Sequence, residues 1–140
     1  MNKEFIPYEE SLELRRLGFN ELCICWHDSS CICWYNSKKE LGIDILIGWG
    51  LSDVLFDQEK MESDSHCLAP TFSQAFRWFR EKHNLIGGVQ YIGGLKPETT
   101  WWDIYVVGHF NTNICEMSME YQPYEEAELA CLRKLIELIK

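Results

Sequence analysis

The stretch from Thr71 to the last residue constrains the fold more than any other. "TFSQAFRWFREKHN" opens with Thr71 and Gln74 in capping-box spacing, where each side chain can answer an unpaired donor of a helix's first turn. Phe72, Ala75, Phe76 and Phe79 follow at i, i+3, i+4 and i+7, an apolar stripe that a helix turns toward a core. Three extended runs come next: "GVQYIGG", "TTWWDIYVVGHF" and "NICEMSMEYQ". "GLKPE" and "NTN" divide them, and this Gly, Pro and Asn chemistry predicts the tight reversals of an antiparallel meander. "PYEEAELACLRKLIELIK" then lines Ala127, Ala130, Cys131, Leu135 and Leu138 along one side of a last helix. Its Glu125, Glu126 and Glu128 lie at the positive end of the helix dipole, with Arg133, Lys134 and Lys140 toward the other. Residues 69–140 therefore read as helix, three strands, helix, with Phe72, Phe76, Phe79, Leu135 and Leu138 as the main core.

The first half is more polar. "FIPYEESLELRRLGF" predicts a short helix: Pro7 suits the edge of a first turn, and Glu9 and Glu10 suit the dipole. Tyr8, Leu12 and the stem of Arg15 share one face, and Gly18 supplies the stop. "LCICWHDSSCICWYN" and "GIDILIGW" read as strands by β-branched and aromatic content. "GLSDVLFDQEKMESDSHCLAP" reads as a long loop with a helical turn near Val54–Met61. The chain is predicted to be one α+β domain over 1–140. Residues 1–68 form its acidic part, an N-terminal helix with a β-hairpin or sheet, and 69–140 its α-β-β-β-α part. "PYEE" stands before a Leu-rich helix twice, at Pro7–Glu10 and Pro123–Glu126, a composition common at helix starts.

The chain has 140 residues, enough to bury a core, and no run approaches the ~20 consecutive apolar residues of a membrane span. The N-terminal residues are charged and lack an apolar signal segment, so the sequence predicts a cytoplasmic chain with its thiols reduced. The seven cysteines are an odd number, which argues against a complete disulfide framework.

Charge weighs against one class of partner. The net charge is −9, unevenly spread: residues 1–68 carry 13 acids and 6 bases, residues 69–140 carry 9 and 7. Affinity for nucleic acid comes from Lys and Arg displacing counterions from phosphates. The acidic half repels such a polyanion, so direct nucleic-acid binding is not expected. The same acidity keeps a small protein soluble, or meets a basic protein partner.

Four cysteines in eleven residues pose the sharpest chemical question. Residues i and i+2 of a strand share a face, so Cys23 pairs with Cys25 and Cys31 with Cys33. If Cys25 stood opposite Cys31, all four thiols would gather on one face, as a tetrahedral zinc site needs. A slip in register would pair cysteine with isoleucine and scatter them. Structural zinc sites favour Cys-x₂₋₄-Cys, which wraps the metal, whereas Cys-x-Cys spreads the sulfurs along the pleat. Cysteine also buries readily as a small hydrophobe. The reading is a buried hairpin, with no metal and no cofactor; zinc on Cys23, Cys25, Cys31 and Cys33 is the alternative, ahead of redox chemistry.

No motif for catalysis emerges. "HDSS" at His27–Ser30 has the letters of a hydrolase triad, but adjacent residues cannot line up as nucleophile, base and orienter. His66 beside Cys67 is too close in sequence for the usual Cys–His pair. The Gly-Gly pairs at Gly87 and Gly93 lack the strand-to-helix setting and lysine of a phosphate loop. His83 and His109 read as structural. The surface most suited to binding is aromatic and acidic. Trp101 and Trp102 are adjacent in a strand and so face opposite ways, and Trp is a preferred hot-spot residue. Asp53, Asp57, Glu59, Glu62 and Asp64 concentrate five carboxylates against one lysine.

Two resemblances complete the reading. The order helix, three antiparallel strands, helix resembles the topology of double-stranded-RNA-binding domains, whose last helix starts lysine-rich. Here that start is "PYEEAE", so the likeness implies topology and not RNA binding. "APTFSQAFRWFREKHNL", "YEEAELACLRKLIELIK" and "FIPYEESLELRRLGF" look like small uncharacterised phage- and prophage-encoded proteins of Bacteroidota. That resemblance covers about a third of the chain and transfers no catalytic residue. It implies a mobile-element accessory protein inside a bacterial host, and by analogy an inhibitor of a host defence nuclease. The expected function is a non-enzymatic binding protein that engages a basic host protein, such as a nucleic-acid-binding effector, through its acidic and aromatic residues; the alternatives are a nucleic-acid-binding accessory protein and a small thiol or zinc protein.

Overall fold

Pro7 stands ahead of the first helix with φ −58° and ψ 158°, and its carbonyl accepts from the Ser11 N–H at 3.0 Å. The structure, a computed structural model, describes residues 4–23, 25–28, 31–35, 41–43, 66–93, 101–108 and 121–140. The architecture is α+β, in two compact units, 1–71 and 72–140.

In the first unit, helix α1 (Tyr8–Arg16) ends on a Schellman motif. Gly18 takes φ +90°, its N–H donates to the Arg15 carbonyl, and the Phe19 N–H reaches back to Leu14. Leu14 and Phe19, joined by that bond, are both buried. The stop at Gly18 is as expected; the buried face is not. Glu10, Ser11 and Leu14 are buried, while Tyr8 and Leu12 are half-buried. Ser11 donates its hydroxyl to the Ile6 carbonyl at 3.3 Å, so its polar group is satisfied on the side that packs toward the sheet.

That sheet has the order β3-β2-β1-β4, from β1 (Trp26–Asp28), β2 (Cys31–Tyr35), β3 (Leu41–Ile43) and β4 (His66–Leu68). All three pairings are antiparallel. β4 corrects the reading of residues 50–70 as a long loop with one helical turn: Trp26 pairs with Leu68, His27 with Cys67 and Asp28 with His66. The Val54–Met61 turn, and most of the run expected after β3, lie outside the described residues.

The second unit keeps the expected order. Helix α2 (Phe72–His83) follows Thr71 directly and ends at Asn84, which takes φ +54°; the Leu85 N–H then donates to the Phe79 carbonyl. Asn tolerates that left-handed conformation better than most residues. Strands β5 (Ile86–Gly93) and β6 (Trp101–Val107) pair antiparallel, with an irregularity between Tyr91 and Gly93. The third expected strand lies outside the described residues except for its end. There Tyr121 exchanges two 2.8 Å backbone hydrogen bonds with Trp102. Helix α3 (Tyr124–Ile139) closes the unit and packs against β5, β6 and α2.

The two helical stripes are rotated from their expected positions. α2 buries Phe72, Ala75, Trp78 and Phe79, with Phe76 only half-buried. Trp78 packs edge-on to Phe79 at 5.1 Å and to His83 at 4.7 Å, and its large apolar area draws the buried arc to that side. α3 buries Ala127, Cys131, Leu132, Leu135 and Ile136, leaving Ala130 and Leu138 half-buried. Close approach of α3 to the sheet explains Gly87: a Cβ there would lie 2.7 Å from Leu135 Cδ1 and 2.9 Å from Cys131 Sγ.

Candidate functional site

The β5–β6 register settles which side chains share a face. Trp102, Ile104 and Val106 stand opposite Tyr91, Val89 and Gly87, so these six positions form the face toward α3. Ile104 and Val106 are buried, and at the far end of the row the core gives way to an aromatic cluster. Trp102 meets Tyr91 at 5.8 Å with planes 72° apart, and Tyr124 at 5.1 Å with planes 83° apart. Such edge-to-face pairs are favoured by the ring quadrupoles. Trp102 is half-buried, whereas Tyr91 is 51% and Tyr124 42% exposed. Three elements thus meet: β5 gives Tyr91, β6 gives Trp102, and the first residue of α3 gives Tyr124.

A carboxylate adjoins the rings. The Tyr124 hydroxyl donates to Glu128 Oε1 at 3.4 Å, one helical turn on, and Glu125 and Glu126 stand in the same first turn. Partial burial, then the Glu128 charge and hydrogen bond, push the Tyr124 phenol above its usual value. Three glutamates therefore lie within the first five residues of α3.

Trp101 lies on the opposite face, paired with Gly93, and is half-buried like Trp102. Next to it Asp103 is buried; its Oδ1 accepts from the Ile104 N–H at 2.8 Å, and Gln90 Nε2 donates to its Oδ2 at 3.5 Å. Of the expected partner-binding residues, Trp102 joins the cluster and Trp101 stands apart from it. Asp53, Asp57, Glu59, Glu62 and Asp64 lie outside the described residues. Tyr91 and Tyr124 were missed by sequence reasoning. A cross-strand count from Trp102 would have found Tyr91, had the irregularity near Gly93 been legible.

The cysteine segment resolves differently from either register considered above. Across the β1–β2 pair Asp28 stands opposite Cys31 and Trp26 opposite Cys33, so cysteine meets neither cysteine nor isoleucine within that hairpin; on its other side Cys33 pairs with Ile43 of β3. The Ala69 N–H donates to the Cys25 carbonyl at 3.0 Å, which continues the β1–β4 ladder and puts position 25 in phase with 27. Positions 31 and 33 are in phase with 28 and 26, on the other face of the pleat. Cys25 itself is buried with Phe5 and Ala69. Among the described residues no cluster of three or more His, Cys, Asp or Glu is placed to hold a metal ion.

The same ladder sets Cys67 across from His27, which invites comparison with a nucleophile and its base. Burial argues against it. Cys67 has no exposed surface, and burial pushes its thiol up to about 12 despite the opposing pull of Arg15. Burial, Glu21 and Cys25 likewise push Cys23 up to about 12. An activated cysteine needs the reverse shift. Because the folded pKa lies above the ordinary 9.0, both thiols are neutral and cost nothing below pH 9; stability falls as pH rises from 9 toward 12, where unfolding would free a thiolate. At pH 7.5, iodoacetamide mapped by mass spectrometry is expected to spare Cys23, Cys25, Cys67 and Cys131 until denaturant is added. Native labelling of Cys23 or Cys67 at the rate of a free thiol would contradict this.

Among the described residues, no helix is long and apolar enough to cross a membrane. No protein family, curated protein or solved structure matches the chain.

Proposed function

We propose that this chain is a non-enzymatic binding protein that engages a basic protein partner inside the cell. The observation that carries the reading is the Tyr91–Trp102–Tyr124 cluster, in which two exposed tyrosines flank the half-buried Trp102 at the end of a packed strand-and-helix core. Exposed tyrosine and tryptophan on rigid elements supply contact area at small entropic cost, which is why they recur as binding anchors. The net charge of −9 selects a basic partner and disfavours phosphate backbones. The resemblance to phage and prophage proteins suggests an accessory protein of a mobile element. In that setting a nuclease of the host defence, with its basic cleft, is a partner of the right charge.

The reading is tested by binding kinetics. Association with the partner is expected to slow as salt rises past the Debye length of about 8 Å found near physiological strength. Neutralising Asp57, Glu59 and Glu62 together should lower the on-rate and leave the fold intact. Duplex RNA and DNA should show no measurable binding at that salt. Tight binding of a duplex by the unmodified protein would overturn the proposal.

A further inference from the structure

We infer that the aromatic corner is a receptor for a guanidinium group, so that an arginine of the partner is its anchor; this rests on the protein-binding reading above. Tyr91 and Tyr124 stand nearly perpendicular to the indole of Trp102, at 5.8 and 5.1 Å, and both extend into solvent. Ring faces carry negative potential and attract a cation held over them, most of all the planar guanidinium, which also stacks. The corner adds formal charge of the same sign. Glu128 touches the Tyr124 hydroxyl, and Glu125 and Glu126 precede it in the first turn of α3. The helix N-terminus opposes them with about half a positive charge. Three carboxylates outweigh it.

Charge complementarity therefore commits the site to a cationic segment of a protein. An anion meets the wrong field, and a second copy of a chain carrying −9 brings the wrong charge. Arginine suits the corner better than lysine, since one plane can lie on a ring while its edge donates to a carboxylate in two parallel hydrogen bonds.

The test uses a fluorescein-labelled glycine–arginine repeat peptide and its citrulline analogue, which keeps the shape and loses the charge. Anisotropy is read near physiological salt on the full-length protein. The wild type is expected to bind the arginine peptide, and the citrulline form at least about tenfold more weakly. Tyr91→Ala and Tyr124→Ala should each weaken binding about fivefold with melting near wild type, whereas Tyr124→Phe, which keeps the ring, should stay within about twofold. Diffuse attraction to an acidic protein predicts the opposite pattern. If both alanine variants bind like wild type while Glu125→Gln and Glu128→Gln weaken binding, the inference is overturned. Absence of peptide binding at millimolar concentration also overturns it. A protein partner that still depends on Tyr91 and Tyr124 but does not need its arginines would remove this inference alone. Loss of any dependence on those tyrosines removes the protein-binding reading as well.

Discussion

Phe79→Ala is expected to destabilise the protein by about 3–5 kcal/mol, the range for truncating a fully buried phenylalanine. Phe79 has no exposed surface, packs against Trp78 and lies 6.0 Å from His83. Its carbonyl also accepts the Leu85 hydrogen bond that closes α2, so the residue ties the helix end to the core. The surroundings are bulky aromatics that collapse poorly into a vacated space, which favours the upper part of the range. The thermal midpoint should fall by on the order of 10 °C or more. Phe76→Ala, at a half-buried position one turn earlier, should cost roughly 1–2 kcal/mol because less surface returns to water. The contrast between the two variants is the test. Equal losses, or an unchanged midpoint for Phe79→Ala, would mean that α2 is rotated from the register described.

The second large effect concerns binding. Replacing Tyr91 and Tyr124 together by alanine is expected to weaken the partner complex by about 2–4 kcal/mol, roughly 30- to 1,000-fold, the span of central aromatic anchors. Both rings are more than 40% exposed, so the isolated protein should lose no more than about 1–2 kcal/mol, the worth of two edge-to-face pairs. Affinity and stability are thereby separated. The two single losses need not sum to the double, since both tyrosines lean on the same indole. Calorimetric titration with the partner, alongside a thermal scan of each variant, reads both quantities.

How far the sequence disclosed this arrangement differs from element to element. Thr71 placed the start of α2, and Gly18 the end of α1, because both depend on short-range backbone chemistry. The faces of the helices were less legible. Periodicity scores Phe76 and Phe79 alike, and only the packing of Trp78 on Phe79 and His83 decides which side is inward. On α1 the buried Glu10 breaks the apolar pattern outright. β4 was invisible for another reason: it is three residues long, follows a polar segment, and pairs with β1 about forty residues upstream. The cysteine register also escaped, since Cys31 against Asp28 follows from where the hairpin turns rather than from residue type. At the candidate site, composition pointed to Trp102, but the meeting of Tyr91 and Tyr124 on it is tertiary. One comes from across a strand pair with an irregularity, the other from a helix more than twenty residues on.

The central claim is that the Tyr91–Trp102–Tyr124 corner touches a basic protein in the cell. Site-specific photo-crosslinking tests it most directly: benzoylphenylalanine replaces Tyr124, and Glu81, an exposed position on α2, serves as the control site. The account predicts one dominant protein adduct from position 124, mapped to a basic segment of the partner. It should be absent from position 81 and strongly reduced when Tyr91→Ala is added. Equal adducts from both positions, a nucleic-acid adduct, or an adduct indifferent to Tyr91→Ala would contradict it.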